Sequence, residues 1–393
     1  MNAAAATGAS AEAANATQAP LHGIRVVEVS NTFMVPYATL LMAQMGAEVV
    51  KVEEPGGDIL RQVGDVTGTG AGPMFLNANR GKKSVVLDLR DETDHRRLEE
   101  LVRQADVFVH NRTPAAALRL GIDYASLQPL NPRMIHCGAS GYGSDGPYRD
   151  LPAYDDIIQA ASGIAAVQTH DGPPQYVRTV MTDKATGLFV LAAVLAALVE
   201  RGRSGLGQAV EVPMFESMIS FLFLEQQGGA VYDPAQGPTG YARVNSPYRH
   251  PYCTADSLIS VMLYTDLQWR SFFELVQRPD MVADPRFASI GARTANIDAL
   301  YRFLEEELMT RSTDEWLRLL PPLRIPASRV NTVAELLTDP HVLATGLVRE
   351  SQHPSAGTVR TVRLPISFLR TPPPEPGPAP LLDEHGGADQ LFA

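Results

Sequence analysis

Cysteine is scarce: Cys137 and Cys253 are the only two in 393 residues, and they lie in unrelated segments. That excludes a disulfide framework and a cysteine-ligated metal centre, and the expected setting is a reducing one, the cytoplasm. Positive charge is also short, with 33 Lys and Arg against 44 Asp and Glu for a formal charge of −11. With no basic cluster to offset it, no nucleic-acid surface is expected. The longest apolar run, Gly187–Val199 (GLFVLAAVLAALV), falls short of the roughly 20 residues a bilayer span needs, so no membrane partner is expected. Residues 1–20 have neither the basic start nor the apolar core of a signal peptide and are expected to form a disordered leader. The chemical motifs that are missing are equally informative. No G-x-G-x-x-G follows the first strand, where Ser30–Pro36 reads SNTFMVP, so NAD is not expected. No Walker sequence occurs, Ser140 and Ser144 stand in no G-x-S-x-G elbow, and His250 and Cys253 lack partners at metal-ligand spacing. No metal is expected.

What is present is an ordinary globular composition, 45% hydrophobic and 20% charged, long enough for two domains. Apolar runs at Ile24–Ser30, Glu48–Glu53, Ser84–Leu89, Asp106–His110 and Arg133–Gly138 alternate with helical stretches, among them 36–45 and Glu92–Gln104. That alternation predicts an α/β fold with a Rossmann-like parallel sheet. Ligands of such sheets sit beyond the carboxyl ends of the strands. The loops there are Asn31–Pro36, Asn111–Pro114 leading to Arg119 and Gly121, and the glycine-rich 141–148 (GYGSDGPY), whose glycines are expected to allow positive φ and close approach. The expected division is a large domain over 21–227, an irregular linker at 228–251 rich in Gly, Pro, Tyr and Asn, a small α+β domain over 252–330, and a return to the large domain over 331–393.

The central stretch is Val180–Met214. Thr182 and Asp183 stand where the N-cap of the apolar helix is expected, the helix is expected to be buried on all sides, and the glycine run 201–207 should end it before the strand QAVEVPM. A cap alone is the commonest use of an aspartate in that position.

Seven segments in fixed order resemble the class III CoA-transferases, the group that includes formyl-CoA transferase, carnitine CoA-transferase and 2-methylacyl-CoA racemase. They are LHGIRVVEVS, PYATLLMAQMGAEVVKVEEPGGD, NRGKKSVVLDL, GYGSDGPY, the D-x-x-x-G of Asp183–Gly187, GRSGLGQAVEVPMFESM and IPASRVNTVAELLTDPHV. The resemblance implies a large domain built from both chain ends with the small one inserted, and an interlinked homodimer threaded by the segment 228–251. It implies coenzyme A, carried as acyl-CoA, and a carboxylic acid as substrates. Asp183 would be the nucleophile, forming a mixed anhydride and then an aspartyl-CoA thioester. The helix N-terminus would favour its anion, and free amides there would serve an oxyanion. Coenzyme A contacts carried over from the family fall on Asn31, Leu87, Asn111, Arg112, Arg119 and Leu120.

Tyr154 stands where the racemase branch has a histidine, and Cys253 where that branch has a glutamate, which disfavours two-base racemisation. Tyr154, Tyr142 and Phe33 are the candidates for lining the acyl site. Asp156 and Gln159 fit a capping pattern. Departures from formyl-CoA transferase are Phe33 in place of a glutamine, Glu54 in place of an arginine, and no glycine-rich run between Tyr241 and Ser257. They argue against oxalate/formate exchange and for a larger or more apolar acyl group. The rival readings are an acyl-CoA racemase or epimerase and a non-catalytic acyl-CoA-binding dimer.

Overall fold

The computed structural model describes residues 18–169, 172–388 and 390–392. The leader expected over 1–20 lies outside them as far as residue 17. The chain divides into two compact units. One comprises the described residues up to Ser162, Tyr176–Ser220 and the chain from Pro340 on; the other comprises Gly163–Gln175 and Phe221–Asp339.

The main sheet of the first unit has six strands, β1 (Arg25–Val29), β2 (Glu48–Glu53), β3 (Lys82–Val86), β4 (Val107–His110), β5 (Ile135–Gly138) and β6 (Ala209–Glu211). They pair in the order β3-β2-β1-β4-β5-β6 with every neighbour parallel. This is the α/β parallel sheet that the alternation predicts, and its strand order reverses between β1 and β4, where such sheets take their ligands. The helices that matter below are α1 (Met34–Gln44), α2 (Glu92–Gln104), α3 (Pro114–Arg119), α4 (Asp155–Ala161), α5 (Met181–Ser204) and α6 (Met214–Gln226).

The strands are nearly continuous apolar runs because both faces of a parallel sheet are covered. The exceptions are charged. Glu28 and Lys51 are fully buried Cα partners on β1 and β2. Lys51 Nζ donates to Glu28 Oε1 at 2.9 Å and to Ser30 O at 2.8 Å, and lies 3.0 Å from Asp58 Oδ2. Lys82 Nζ donates to Glu28 Oε2 at 2.9 Å and to Pro36 O at 3.0 Å. Glu53 on β2 receives Arg61 through two nitrogens, at 2.8 and 2.6 Å. Two carboxylates balance two ammonium groups in the first cluster, and the carbonyls of Ser30 and Pro36 complete it. Buried charge of this kind persists only when paired and hydrogen-bonded. Burial pushes the Glu28 carboxyl up, but Lys51 and Lys82 outweigh it and hold the group well below the usual carboxylate range. The consequence is a rigid loop between β1 and α1, since its two ends are acceptors for two buried lysines.

In the second unit, β7 (Tyr252–Cys253), β8 (Leu258–Val261) and β9 (Ala327–Arg329) form an antiparallel sheet. Helices α7 (Asp266–Leu275), α8 (Ile297–Leu308) and α9 (Thr313–Leu319) bury Trp269, Phe272, Leu304 and Trp316 with it. Capping boxes start α7 (Thr265 with Gln268) and α9 (Ser312 with Glu315). The irregular segment after α6 folds back on itself. Gly240 N donates to Gln226 O at 2.8 Å, the Gln226 and Asn245 amides pair twice at 3.1 Å, and a Cβ on Gly229 would fall 2.5 Å from Gly237 Cα.

The returning chain forms the antiparallel pair β10 (Val348–His353) and β11 (Gly357–Val362). Its tail then protects the free edge of β3, an edge that would otherwise invite pairing with another chain. Val86 N donates to Asp383 Oδ1 at 2.7 Å, His385 N donates to Ser84 O at 3.0 Å, and Phe392 is buried among the sheet's core residues.

Candidate functional site

α5 corrects three expectations. The N-cap residue is Val180, which makes no side-chain cap, so Thr182 and Asp183 lie inside the first turn. The helix also runs on through Arg201–Ser204 and ends only where Gly205 turns left-handed at φ 77°. At 24 residues it has the length and composition of a bilayer span. It is nevertheless packed on α1 and α4, and Arg201 is ion-paired to Asp106 at 2.9 Å. Lastly, it is not buried on all sides: Leu188, Phe189 and Val199 are exposed.

The N-cap function is taken over by a residue from another helix. Asp155, at the start of α4, is 6% exposed. Its Oδ2 accepts Thr182 Oγ1 at 2.8 Å and the Asp183 amide at 3.0 Å, and its Oδ1 accepts Gln159 Nε2 at 2.5 Å. The Asp156–Gln159 pattern is therefore corrected to Asp155–Gln159, with a tertiary purpose the local pattern does not reveal. Of the amides at this helix start, where free ones were expected for an oxyanion, that of Asp183 is occupied by Asp155 and that of Met181 donates to Thr179 O at 2.6 Å.

The Asp183 side chain is partly buried, and among the described residues its carboxylate makes no hydrogen bond within the chain. Burial, then the neighbouring Asp155 charge, pushes its pKa up from 3.8 to about 7, with Lys184 pulling the other way. The helix N-terminus does not hold this carboxyl in the usual acidic range, contrary to expectation. A carboxyl titrating near neutrality is a better nucleophile when ionised than an ordinary aspartate, and such perturbed groups mark functional sites. Asp155→Asn keeps the acceptor for Thr182 and removes the charge. The acid limb of the pH–rate profile, expected near pH 7, should then move down by about 1 pH unit. An unmoved limb would assign Asp155 a purely structural role.

Gly187, one turn after Asp183, explains the spacing D-x-x-x-G. A Cβ there would stand 2.7 Å from Met34 O and 3.2 Å from Tyr37 Cδ1, so glycine lets α5 lie against the first turn of α1. Gly187→Ala gains about 1 kcal/mol of helix propensity yet forces two helices apart, which costs roughly 1–3 kcal/mol. A lower melting temperature together with a lower kcat is expected. An unchanged kcat would show that the α1 contact does not aim Asp183.

The loop before α1 links that contact to the sheet. Thr32 adopts φ 66°, a conformation rare for a non-glycine residue, with its amide 3.3 Å from Asp58 Oδ1 of the buried network. Asn31 O accepts Asn111 Nδ2 at 2.9 Å. Asn31 and Asn111 thus hold one another at the switch point, and Asn111 Oδ1 is buried without a partner. Phe33 is partly buried and packs beside Leu60, Phe75 and Ala379.

Beyond the carboxyl ends of β1 to β4 lies a cavity of about 370 Å³. Leu87, Arg112, Arg119 and Leu120, four of the six residues carried over for coenzyme A, line it, while Asn31 and Asn111 stand outside its lining. Arg90, Glu54 and Asp88 also line it. The sequence reading did not single out Arg90 or Asp88, although their place directly after β3 was a signal. Leucines beside three arginines suit a base and its phosphates, and the volume fits the nucleotide end of coenzyme A rather than the whole molecule. Among the described residues, no group of three or more His, Cys, Asp or Glu is arranged to hold a metal ion.

The loop 141–148 is fixed by two carboxylates. Gly143 N donates to Glu216 Oε1 at 3.0 Å and Ser144 N to Glu211 Oε1 at 2.7 Å. Its glycines are not in the positive-φ region; close approach requires Gly141, where a Cβ would meet Ala153 Cβ at 2.3 Å. Tyr142 is 7% exposed and packs with Tyr148 and Phe215, ring centroids 5.5 Å away in both cases. Tyr154, immediately before Asp155, is 71% exposed.

The sequence model of CoA-transferase family III matches residues 21–386. An acetyl-CoA:oxalate CoA-transferase of Acetobacter aceti is 34% identical over 381 residues, covering 94% of each chain. A succinate–glutarate CoA-transferase of Agrobacterium fabrum is 32% identical over 375 residues, covering 93% of this chain and 94% of its own. The solved structure of a CAIB/BAIF family protein from Brucella suis is similar with a TM-score of 0.79 at 31% identity, covering 94% of this chain and 98% of that one.

Proposed function

The chain belongs to CoA-transferase family III and is an enzyme of that class; on that premise we propose that it moves coenzyme A from an acyl-CoA to a free carboxylic acid through Asp183. The observation that carries the reading is the Asp183 carboxyl itself, partly buried at the first turn of α5, raised to about 7 by burial and Asp155, and without a hydrogen bond of its own among the described residues. In the first step its ionised oxygen attacks the thioester carbonyl, the carbon–sulfur bond breaks, and CoA leaves as thiolate, giving a mixed anhydride. The thiolate then attacks the aspartyl carbonyl, releasing the donor acid and leaving an aspartyl-CoA thioester. The acceptor carboxylate repeats the two steps in reverse order, restoring Asp183 and producing the new acyl-CoA. No net proton or electron is consumed.

The leucine and arginine cavity supports binding of the nucleotide end by Leu87, Arg112, Arg119 and Leu120. Asn31 and Asn111 support it by holding the loop, and Tyr142 and Tyr154 remain the candidates beside the acyl group. A homodimer is part of the proposal: Leu188, Phe189 and Val199 leave an apolar stripe of α5 exposed, as a surface covered by a partner would be. So is a cytoplasmic location, supported by two cysteines that are both free.

Relatives named for succinate, glutarate and oxalate direct the substrate screen. Succinyl-CoA and acetyl-CoA, each paired with glutarate, succinate and oxalate, should yield a new acyl-CoA detectable by mass. Incorporation of solvent deuterium at the α-carbon without any acceptor acid would instead support the racemase reading.

A further inference from the structure

We propose that Glu54 is a counter-ion strap across the nucleotide cavity, which a phosphate of coenzyme A must displace from Arg112. The inference rests on the reading that the nucleotide end of CoA occupies that cavity. Glu54 directly follows β2, and Arg112 lies two residues beyond β4. In the sheet these strands are separated by β1, so their ends stand roughly 10 Å apart. The two side chains nevertheless meet, Arg112 Nη2 to Glu54 Oε1 at 2.6 Å, and both line the cavity together with Val29, the last residue of β1. The pair therefore bridges the crevice at the switch point, where ligands of this sheet bind.

The electrostatics favour exchange over permanence. The Glu54 side chain is 66% exposed and that of Arg112 23%, so the pair is wet on one side and contributes little to stability. The Arg112 backbone is anchored through its amide to His110 Nδ1 at 3.2 Å, and its Nε is buried without a partner. A guanidinium with one nitrogen unpaired and another on an exposed carboxylate can receive a phosphate without moving its own backbone. Arg90 is held likewise by Asp88, at 2.8 and 3.0 Å, whereas Arg119 makes no such pair among the described residues. Arg119 is thus open to the first encounter, and Arg112 becomes available when Glu54 is exchanged. A ligand without phosphates cannot make that exchange. The strap therefore lowers the affinity for the phosphorylated carrier and leaves that for a bare pantetheine thioester, which has no phosphate to offer Arg112, untouched.

Calorimetric titration of the full chain with free CoA and with pantetheine tests this in wild type, Glu54→Gln and Arg112→Gln. Glu54→Gln should bind CoA about 2- to 5-fold more tightly, the value of the wet ion pair it removes, with pantetheine binding unchanged. Arg112→Gln should weaken CoA by about 10-fold or more. If Arg112→Gln leaves CoA affinity intact, the nucleotide is not in this cavity, and the reading beneath the proposal falls with it. If Arg112→Gln weakens CoA while Glu54→Gln does not tighten it, the strap is overturned and the site stands. A crystal structure of the CoA complex should place Arg112 on a phosphate with Glu54 turned away; an intact Glu54–Arg112 pair beside bound CoA would also overturn it.

Discussion

Asp183→Ala should lower kcat by at least about 10⁴-fold while leaving CoA binding within a few-fold of wild type, because the covalent route has no alternative carboxylate to take its place. Asp155 is the nearest candidate substitute, but both of its oxygens are committed to Thr182, the Asp183 amide and Gln159. Loss of folding is separable from loss of chemistry here. Asp183 has its pKa raised from 3.8 to about 7 in the folded chain, so the folded state binds more protons than the unfolded one between those values. Stability therefore falls as pH rises from about 4 through 7. Asp183→Asn, inactive by the same argument, should be the more stable protein above pH 7, by up to about 4 kcal/mol, and should match wild type below pH 4. Thermal unfolding of the two proteins across that range checks the sign. An Asp183→Asn protein less stable than wild type at pH 8 would mean that the carboxylate is structural, held by favourable contacts rather than kept reactive.

The second large effect lies under the sheet. Lys51→Met should destabilise the first unit by roughly 3–5 kcal/mol, because it leaves Glu28 and Asp58 buried with one ammonium between them. Lys51 also holds Ser30 O, and Asp58 holds the Thr32 amide. The variant should therefore lose CoA affinity as well as stability, through disorder of the loop before α1. Pairing Lys51→Met with Glu28→Gln, which removes one carboxylate charge, should recover part of the stability in a double-mutant comparison. If the single variant melts within a degree of wild type, the buried cluster is not what fixes the loop.

What the sequence made legible follows from which interactions are local. β1 to β5 were readable because parallel strands buried on both faces are near-continuous apolar runs, β6 because QAVEVPM alternates, and α2 because its charged and apolar residues alternate with helical period. Arg112 and Arg119 stood out because they follow the end of β4, where ligand sites form; Leu87 came only from the family resemblance, since the expected strand ran on to Leu89. The errors arose where a distant residue decided the outcome. Asp183 looked like a cap since nothing in Val180–Met214 indicates that Asp155, 28 positions earlier, supplies the acceptor. Glu28 and Lys51 drew no expectation, although opposite charges inside two apolar runs were a signal of a buried pair. The glycines of 141–148 suggested positive φ or close approach, and only the distant Ala153 shows that space, not dihedral freedom, requires Gly141.

The central claim is that the Asp183 carboxylate is consumed and rebuilt in each cycle, with one of its oxygens leaving in the donor acid and another arriving from the acceptor. Turnover with an acceptor acid labelled with heavy oxygen tests it directly. Trypsin cuts after Arg178 and Lys184, and the peptide Thr179–Lys184 (TVMTDK) carries Asp183 as its one side-chain carboxylate. After turnover in ordinary water, that peptide should carry heavy oxygen on Asp183, and no label should appear when the acyl-CoA is omitted. New acyl-CoA formed with an unlabelled Asp183 would contradict the account.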